Sequence, residues 1–390
     1  MRGRVSREER GRADRRQPGN EQSRRGWGVQ EESGALPHIE ELCYVLRPRS
    51  CSNCSVLRCW TMDGLQPELC FPHLLNSSCS GVMRPRSEAV RLYALFASIT
   101  VVTVALNLLV IISVSHFSQL HTPTNLLLLS LAVSDLLVGL LVMPVETVRF
   151  VETCWLLGDL MCAVSYIVGF TLTSASVGNM VLISVDRYVA ICYPLHYPRT
   201  ITCSRIEVSV CLLWASSLLY NALILKEHLS QPNRYNSCFG ECLVVINFIP
   251  GAVDLMVTFI GPCSVIVVLY TRVFAVVVSQ ARAIQTHIAT VGGGRGKVTA
   301  KKSERKAART LGVVILVFLM GFCPYYAPSL AGQNISNSAS SWVIVTWLLY
   351  LNSCLNPLMY AFFYPWFRNT IKFIVTLKIL EKDSSRAQIL

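Results

Sequence analysis

Asp254 lies deep in an apolar stretch, and no Lys or Arg occurs in the outer half of any neighbouring stretch to neutralise it. A carboxylate in hydrocarbon is costly, so it must face an interior and serve a purpose there. Counting about 1.5 Å per residue from Asn247 and from Cys162, Asp254 and Gly169 both sit roughly 10 Å below the outer ends of their stretches. Phe170, Phe322, Tyr325, Tyr326, Trp347 and Tyr350 are spaced to reach the same layer. A carboxylate ringed by π faces is the chemistry of ammonium recognition. The competing reading is an Asp254 that is protonated or paired with Lys226 or Arg234 of the loop above. Glu146 carries less weight, because Arg149 one turn on can neutralise it.

Asp135 is a second isolated acid, alone in its apolar stretch at mid-depth. Asn107, Ser176, Asn352 and Asn356 fall at similar depth, and together they suit a hydrated polar cluster able to hold a sodium ion. A hydrogen-bonded Asp135 that only joins helices is the alternative. Deeper still, the long apolar run from Cys162 ends in Asp186-Arg187-Tyr188, which marks the point where it leaves the membrane. Glu304, the acid within the basic segment KVTAKKSERKAART, is positioned to pair with Arg187 and tie two helices together on the inside. Pro324 and Pro357 supply kinks, the second within Asn356-Pro357-x-x-Tyr360.

These residues are carried by helices that cross a membrane. The chain has 390 residues, 52% of them hydrophobic and only 15% charged, with mean hydropathy +0.46. That is too apolar for an ordinary water-soluble domain of this length. Apolar runs sufficient to span a bilayer occupy 89–115, 125–147, 160–193, 206–225, 244–276, 309–331 and 341–364. The fold class expected is therefore an all-α membrane protein, a bundle of seven transmembrane helices over 89–364. A short amphipathic helix follows at 365–380, with Trp366, Phe367, Ile371, Ile374 and Leu377 opposed by Arg368, Lys372 and Lys378 on the inner leaflet. Residues 381–390 form a tail.

Basic residues fix the orientation. The connection from Arg272 to Arg309 is rich in Lys and Arg, whereas AGQNISNSAS has no charge, so the former side is cytoplasmic and the N-terminus lies outside. The net charge of +12 suits an anionic leaflet and an intracellular partner rather than nucleic acid. Residues 1–61 are polar and Arg-rich without a signal-peptide run, and are expected to be a disordered or spurious extension ahead of an extracellular segment, 62–88. On the outer side Asn76-Ser77-Ser78 is a glycosylation sequon, with Asn334-Ile335-Ser336 a weaker second one. Cys162, Cys238 and Cys242 share that side with Cys70 and Cys79. We pair Cys242 with Cys162 and Cys238 with Cys79, although spacing alone leaves the connectivity open.

The ordered set formed by Asn107, Asp135, Cys162 with Cys242, Asp186-Arg187-Tyr188, Trp214, Pro262, Pro324 and Asn356-Pro357-x-x-Tyr360 resembles rhodopsin-class G-protein-coupled receptors over about residues 65–380. Within that class, HFSQLHTPTN from His116 and NSCLNPLMYAFFYPWF from Asn352 resemble trace amine-associated receptors, best the fish branch. The resemblance implies a cell-surface receptor for cationic amines, probing odours, that signals through a heterotrimeric G protein and raises cyclic AMP. It also implies that an aspartate on span three should bind the amine, and Gly169 stands there instead. Asp254 is the position at which some fish members are thought to hold the ammonium. Phe322 replaces the usual tryptophan before the span-six proline, and Leu106 replaces a glycine before Asn107.

Other classes fit less well. A retinal pump needs a lysine in the last span, and 341–364 has none. A transporter is expected to show matched repeats or broken helices, and neither is evident. No set of nucleophile, base and oxyanion donors suggests an enzyme. A receptor for a neutral ligand, with Asp254 structural, is the main alternative.

Overall fold

A computed structural model describes residues 67–389 apart from 75, 83, 233, 292–311, 314–315, 328–329, 331–334, 337–339 and 382–383. Residues 1–61, Glu304 and Asn334, and the side chain of Tyr360, lie outside what is described. Among the described residues five helices are long and apolar enough to cross a membrane: α1 (Arg86–His116), α2 (Pro123–Val151), α3 (Asp159–Cys192), α4 (Cys203–Ile224) and α5, which begins at Phe248. The described part of α6 is Leu316–Ala327, and α7 runs Ser340–Phe363. A final helix, α8, runs Pro365–Val375.

α3 is the axis of the bundle, packing against α2, α4 and α5. Its burial follows from its sequence, because small and polar residues such as Gly169, Ala175, Ser176, Asn179 and Ser184 recur on the faces turned to neighbours. Without a hydrophobic drive between helices in lipid, such close approach and hydrogen bonding hold them together. A Cβ at Gly178 would stand 2.1 Å from Leu213 Cδ1, so α4 depends on that glycine for its distance from α3. Nearby, Asn221 donates to Ser174 Oγ at 3.0 Å, and the Trp214 indole donates to Ser130 Oγ at 3.1 Å. Conversely, Val101, Leu212, Leu219, Met256 and Val268 are exposed and form the lipid-facing surface of α1, α4 and α5.

α2 and α5 each widen into a π-helical turn just ahead of a proline. In α2 the turn is Val138–Val142, before Pro144; in α5 it is Leu255–Ile260, before Pro262. Proline has no N–H for the helix ladder and crowds the carbonyl four residues back, and a wider turn absorbs both faults. The extra residue also rotates the outer part of each helix relative to the rest. α5 differs from the sequence expectation at its start. Val245–Ile246 is extended and pairs antiparallel with Ile335–Ser336, so the helix begins at Phe248 rather than 244.

Among the described residues three disulfides lace one end of the bundle: Cys162–Cys242, Cys79–Cys238 and Cys70–Cys154. The third adds to the two expected pairs and fastens the segment before α1 to the α2–α3 connection. Gly240, at φ +100°, makes the close packing feasible, since a Cβ there would lie 2.8 Å from Cys70 Cβ. Its carbonyl accepts from the Trp155 backbone N–H at 2.8 Å. Pro67–Leu69 and Ser80–Val82 form a small antiparallel pair beside these bridges. Asn76 is exposed there.

On the opposite side, α8 does more than float on a leaflet. Phe367 is fully buried, and Thr370 Oγ1 accepts a 2.9 Å hydrogen bond from Ser113 Oγ of α1. The tail then folds back: Ser384 Oγ lies 3.0 Å from His116 Nε2, and the Ile389 side chain is buried.

Candidate functional site

A cavity of about 430 Å³ opens between α2, α3, α6 and α7 beneath the disulfide-laced loops. Its volume falls in the range usual for small-molecule sites. Gly169, Phe170, Tyr325, Tyr326, Trp347 and Tyr350 line it, so six of the residues singled out in the sequence meet around one space. A Cβ built on Gly169 would meet only Val142 Cγ1 at 3.6 Å and Tyr350 Oη at 3.9 Å, so the missing side chain leaves room rather than a tight contact. Phe322 lies one layer deeper, tilted against Phe318, and faces a different cavity.

Asp254 is buried but is not among the residues lining the larger cavity. Its Oδ1 accepts a hydrogen bond from the Tyr220 phenol of α4 at 3.1 Å. Neither Lys226 nor Arg234 forms an ion pair with it among the described residues; Arg234 instead lies over Tyr235. The connection to the cavity runs through the next turn of α5. Thr258 Oγ1 donates to the Asp254 carbonyl at 2.6 Å and lies 2.8 Å from Tyr326 Oη, and Tyr326 stacks on Phe259. Tyr326 therefore belongs to both the cavity wall and the surroundings of Asp254.

The expectation that no basic residue enters the outer layer needs correction. α2 continues to Val151 and carries Arg149 into the cavity wall beside Glu146, with which it forms a half-buried ion pair. Arg149 also donates to Ser165 Oγ at 2.7 Å and lies 4.3 Å from the centre of the Tyr166 ring and 5.1 Å from that of Trp155. The i,i+3 spacing foretold the pair but not that the π turn of α2 would aim both residues inward.

Asp135 sits at the centre of a compact polar cluster. It accepts from Ser353 Oγ and Asn356 Nδ2, both at 2.8 Å, and from Ser176 Oγ at 3.3 Å. Ser353 was not foreseen, although it lies one turn before Asn356 on the same helix face. Asn107 does not touch Asp135; its Nδ2 donates to the carbonyls of Thr103 and Ser353. Asn352 lines the same small cavity of about 20 Å³, with its Nδ2 buried and without a partner among the described residues. Gly321 of α6 lets it come that close, since a Cβ there would lie 2.2 Å from Asn352 Nδ2. The space holds about one water-sized sphere. The carboxylate of Asp135 and the hydroxyls of Ser176 and Ser353 form an oxygen donor set that suits a hard cation such as sodium.

At the inner end of α3, the Asp186 carboxylate is nearly saturated. Thr124 Oγ1 and Tyr197 Oη each donate at 2.8 Å, and Arg187 bonds it through Nε at 2.9 Å. Arg187 also reaches Thr124 Oγ1. Tyr197 stands on the short helix Tyr197–Thr200 of the second inner connection, and burial raises its phenol above the ordinary range, keeping it a donor. Tyr188 points elsewhere, edge-on to Tyr193. Arg187 is thus held within its own helix end and the α1–α2 side. Pro357 lies within α7 and is buried.

The sequence matches the family described as 7 transmembrane receptor (rhodopsin family) over residues 106–360. It is 39% identical over 325 residues to trace amine-associated receptor 13c of Danio rerio, covering 82% of this chain and 95% of that protein. Against trace amine-associated receptor 1 of Mus musculus the identity is 40% over 315 residues, covering 78% and 94%. Against trace amine-associated receptor 8b of Rattus norvegicus it is 38% over 334 residues, covering 82% and 95%. Such receptors bind ligands and signal across a membrane rather than catalyse. With its helical bundle and polar core in place, the chain belongs to the rhodopsin family of seven-transmembrane receptors and, within it, to the trace amine-associated receptors.

Proposed function

We propose that this receptor is activated by a small cationic amine whose ammonium is taken up by Asp254, and that it relays binding to a heterotrimeric G protein that raises cyclic AMP. The observation that carries this reading is a buried carboxylate with, among the described residues, only neutral partners, Tyr220 and the Thr258 turn, next to a cavity walled by aromatic rings. A cation is what such a site lacks, and the ring faces add to its attraction. To reach Asp254 from the cavity, the ligand must displace Tyr326 from Thr258. That exchange links α5 to α6, and through these helices the ligand acts on the Asp186–Arg187 group. Opening there, including release of any Arg187–Glu304 contact, gives the G protein its surface. The ligand shifts the equilibrium only by its difference in affinity between closed and open states.

The orientation supported by the charge pattern puts the three disulfides and Asn76 outside, in an oxidising compartment, and α8 inside at the plasma membrane. Sodium at Asp135 would favour the closed state by holding Ser176 and Ser353 together across α3 and α7. Expression in olfactory neurons is part of the same proposal.

A second reading has a specific observation behind it. Asp254 is off the cavity wall and already bonded by Tyr220, which is what a structural carboxylate in a receptor for neutral ligands would do. Comparing amines with their neutral isosteres, hydroxyl or methyl in place of ammonium, separates the two in a cyclic AMP assay. Responses confined to the amines support the first reading; equal responses support the second.

A further inference from the structure

Beyond α8 the chain turns back on itself and is held as a ligand would be. Leu377 takes the left-handed backbone, at φ +58°, which is uncommon for a residue with a side chain. The segment Ser384–Ile389 then returns to the first inner connection, Phe117–Thr122. Gln119 reads its backbone with both ends of one amide: Nε2 donates to the Arg386 carbonyl at 3.3 Å, and Oε1 accepts from the Ile389 N–H at 3.4 Å. Asn369 of α8 donates to the Ile389 carbonyl at 3.0 Å, and Ser118 Oγ to the Ser385 carbonyl at 3.4 Å. Between these bonds the Ile389 side chain is 3% exposed and joins the same apolar cluster as Phe117, Leu120 and Phe367.

Ser384 is the polar centre of the contact. Its hydroxyl has a single hydrogen, which goes to the Ile379 carbonyl at 2.7 Å. Toward His116 the oxygen therefore accepts, and the 3.0 Å contact is the His116 Nε2–H donating. The residue is 8% exposed. A phosphoryl group on that oxygen would remove the donor to Ile379 and bring bulk and about −1.5 to −2 charges into a closed space. His116 offers one N–H to three new oxygens. Docking and phosphorylation of Ser384 thus exclude one another. Ser385, by contrast, enters the contact through its carbonyl.

We propose that the crevice between the first inner connection and α8 is a docking site for Ser384–Ile389, and that Ser384 is a phosphorylation site concealed by that docking. A protein kinase reaches Ser384 only when the segment is out of the crevice, and the modified segment does not return. In the transfer the Ser384 oxygen bonds to the γ-phosphorus of ATP, its proton passes to the kinase, and the bond to ADP breaks. The contact is a latch on the inner side, independent of how Asp254 is read.

The test uses the full chain, purified, with an arginine-specific protease. Arg386 is exposed, yet cleavage after it needs the flanking chain extended, so the initial rate tracks the undocked population. Ile389→Asp and Ser384→Glu should each speed cleavage about tenfold or more, and Gln119→Ala about fivefold, while Ser385→Glu changes it less than threefold. Equal rates in wild type and Ile389→Asp would overturn the docking. Equal acceleration by Ser384→Glu and Ser385→Glu would overturn the role of the Ser384 hydroxyl. If Ile389→Asp does not reach the cell surface, Gln119→Ala decides, since it keeps the apolar anchor, and cleavage at the wild-type rate then overturns the docking. In cells, the fraction of Ser384 carrying phosphate, read by mass spectrometry, should rise about fivefold in Gln119→Ala. An unchanged fraction, or no phosphate on Ser384 in that variant, would overturn the assignment of the site.

Discussion

Tyr220→Phe is a perturbation with an unusual expected sign. The Tyr220 phenol donates to the Asp254 carboxylate at 3.1 Å, and Asp254 is 4% exposed, so water does not readily replace it. Removing a partner from a buried polar group costs about 1–3 kcal/mol. In the ligand-free receptor that cost falls on stability, lowering the melting temperature by about 2–6 °C. An ammonium docking at Asp254 would supply the missing partner and no longer compete with the phenol. Recovering about 1–2 kcal/mol on binding corresponds to an affinity gain of about five- to thirtyfold. Purified receptor would be melted with and without a saturating amine, and potency read in parallel by cyclic AMP. The variant should be less stable alone, equally stable with ligand, and more sensitive to amine. Unchanged ligand-free stability with reduced potency would refute this reasoning and place Tyr220 among groups that contact the ligand directly.

Further expectations concern the rest of the molecule. Cys154→Ser opens a bridge spanning 84 residues; the loss should be about 2–4 kcal/mol of stability and be visible as reduced surface expression on cells, with the same effect from Cys70→Ser. Asp135→Asn should abolish any stabilisation by sodium over potassium in a melting assay, whereas the wild type gains about 1–3 °C at high sodium. Tyr197→Phe removes a donor from Asp186 and should raise ligand-independent cyclic AMP by about two- to fivefold, since loss of about 0.5–1 kcal/mol from the closed state shifts the resting balance.

Much of the fold could be read from the chain because bilayer thickness constrains helix length, and lone acids in apolar runs must face inward. That reasoning reached α1 to α5, the polar cluster around Asp135 and the aromatic wall of the cavity. What it missed depended on rotation and on contacts between distant segments. The spacing of Glu146 and Arg149 announced a pair, yet the π turn before Pro144 decides that the pair faces the cavity. Val245 and Ile246 have the apolar character of a helix start, but pairing with Ile335 and Ser336 draws them into extended structure. Cys154 could have been found by arithmetic: with Cys70, Cys79, Cys162, Cys238 and Cys242 it makes six outer cysteines, an even set, though six thiols allow fifteen pairings. The Tyr220 contact with Asp254 carries no sequence signal, because nothing in a phenol on α4 announces which face of α5 it will meet.

The most direct measurement compares wild type and Asp254→Asn, at matched surface expression, for cyclic AMP responses to a panel of amines and neutral odorants. Asparagine keeps the shape and the capacity to accept from Tyr220 while removing the charge. An amine that activates the wild type should lose potency about a hundredfold or more in the variant, as expected when a buried charge pair of about 3 kcal/mol is broken. Equal responses in the two receptors, or activation by neutral odorants with none by amines, would contradict the assignment of Asp254 as the ammonium acceptor.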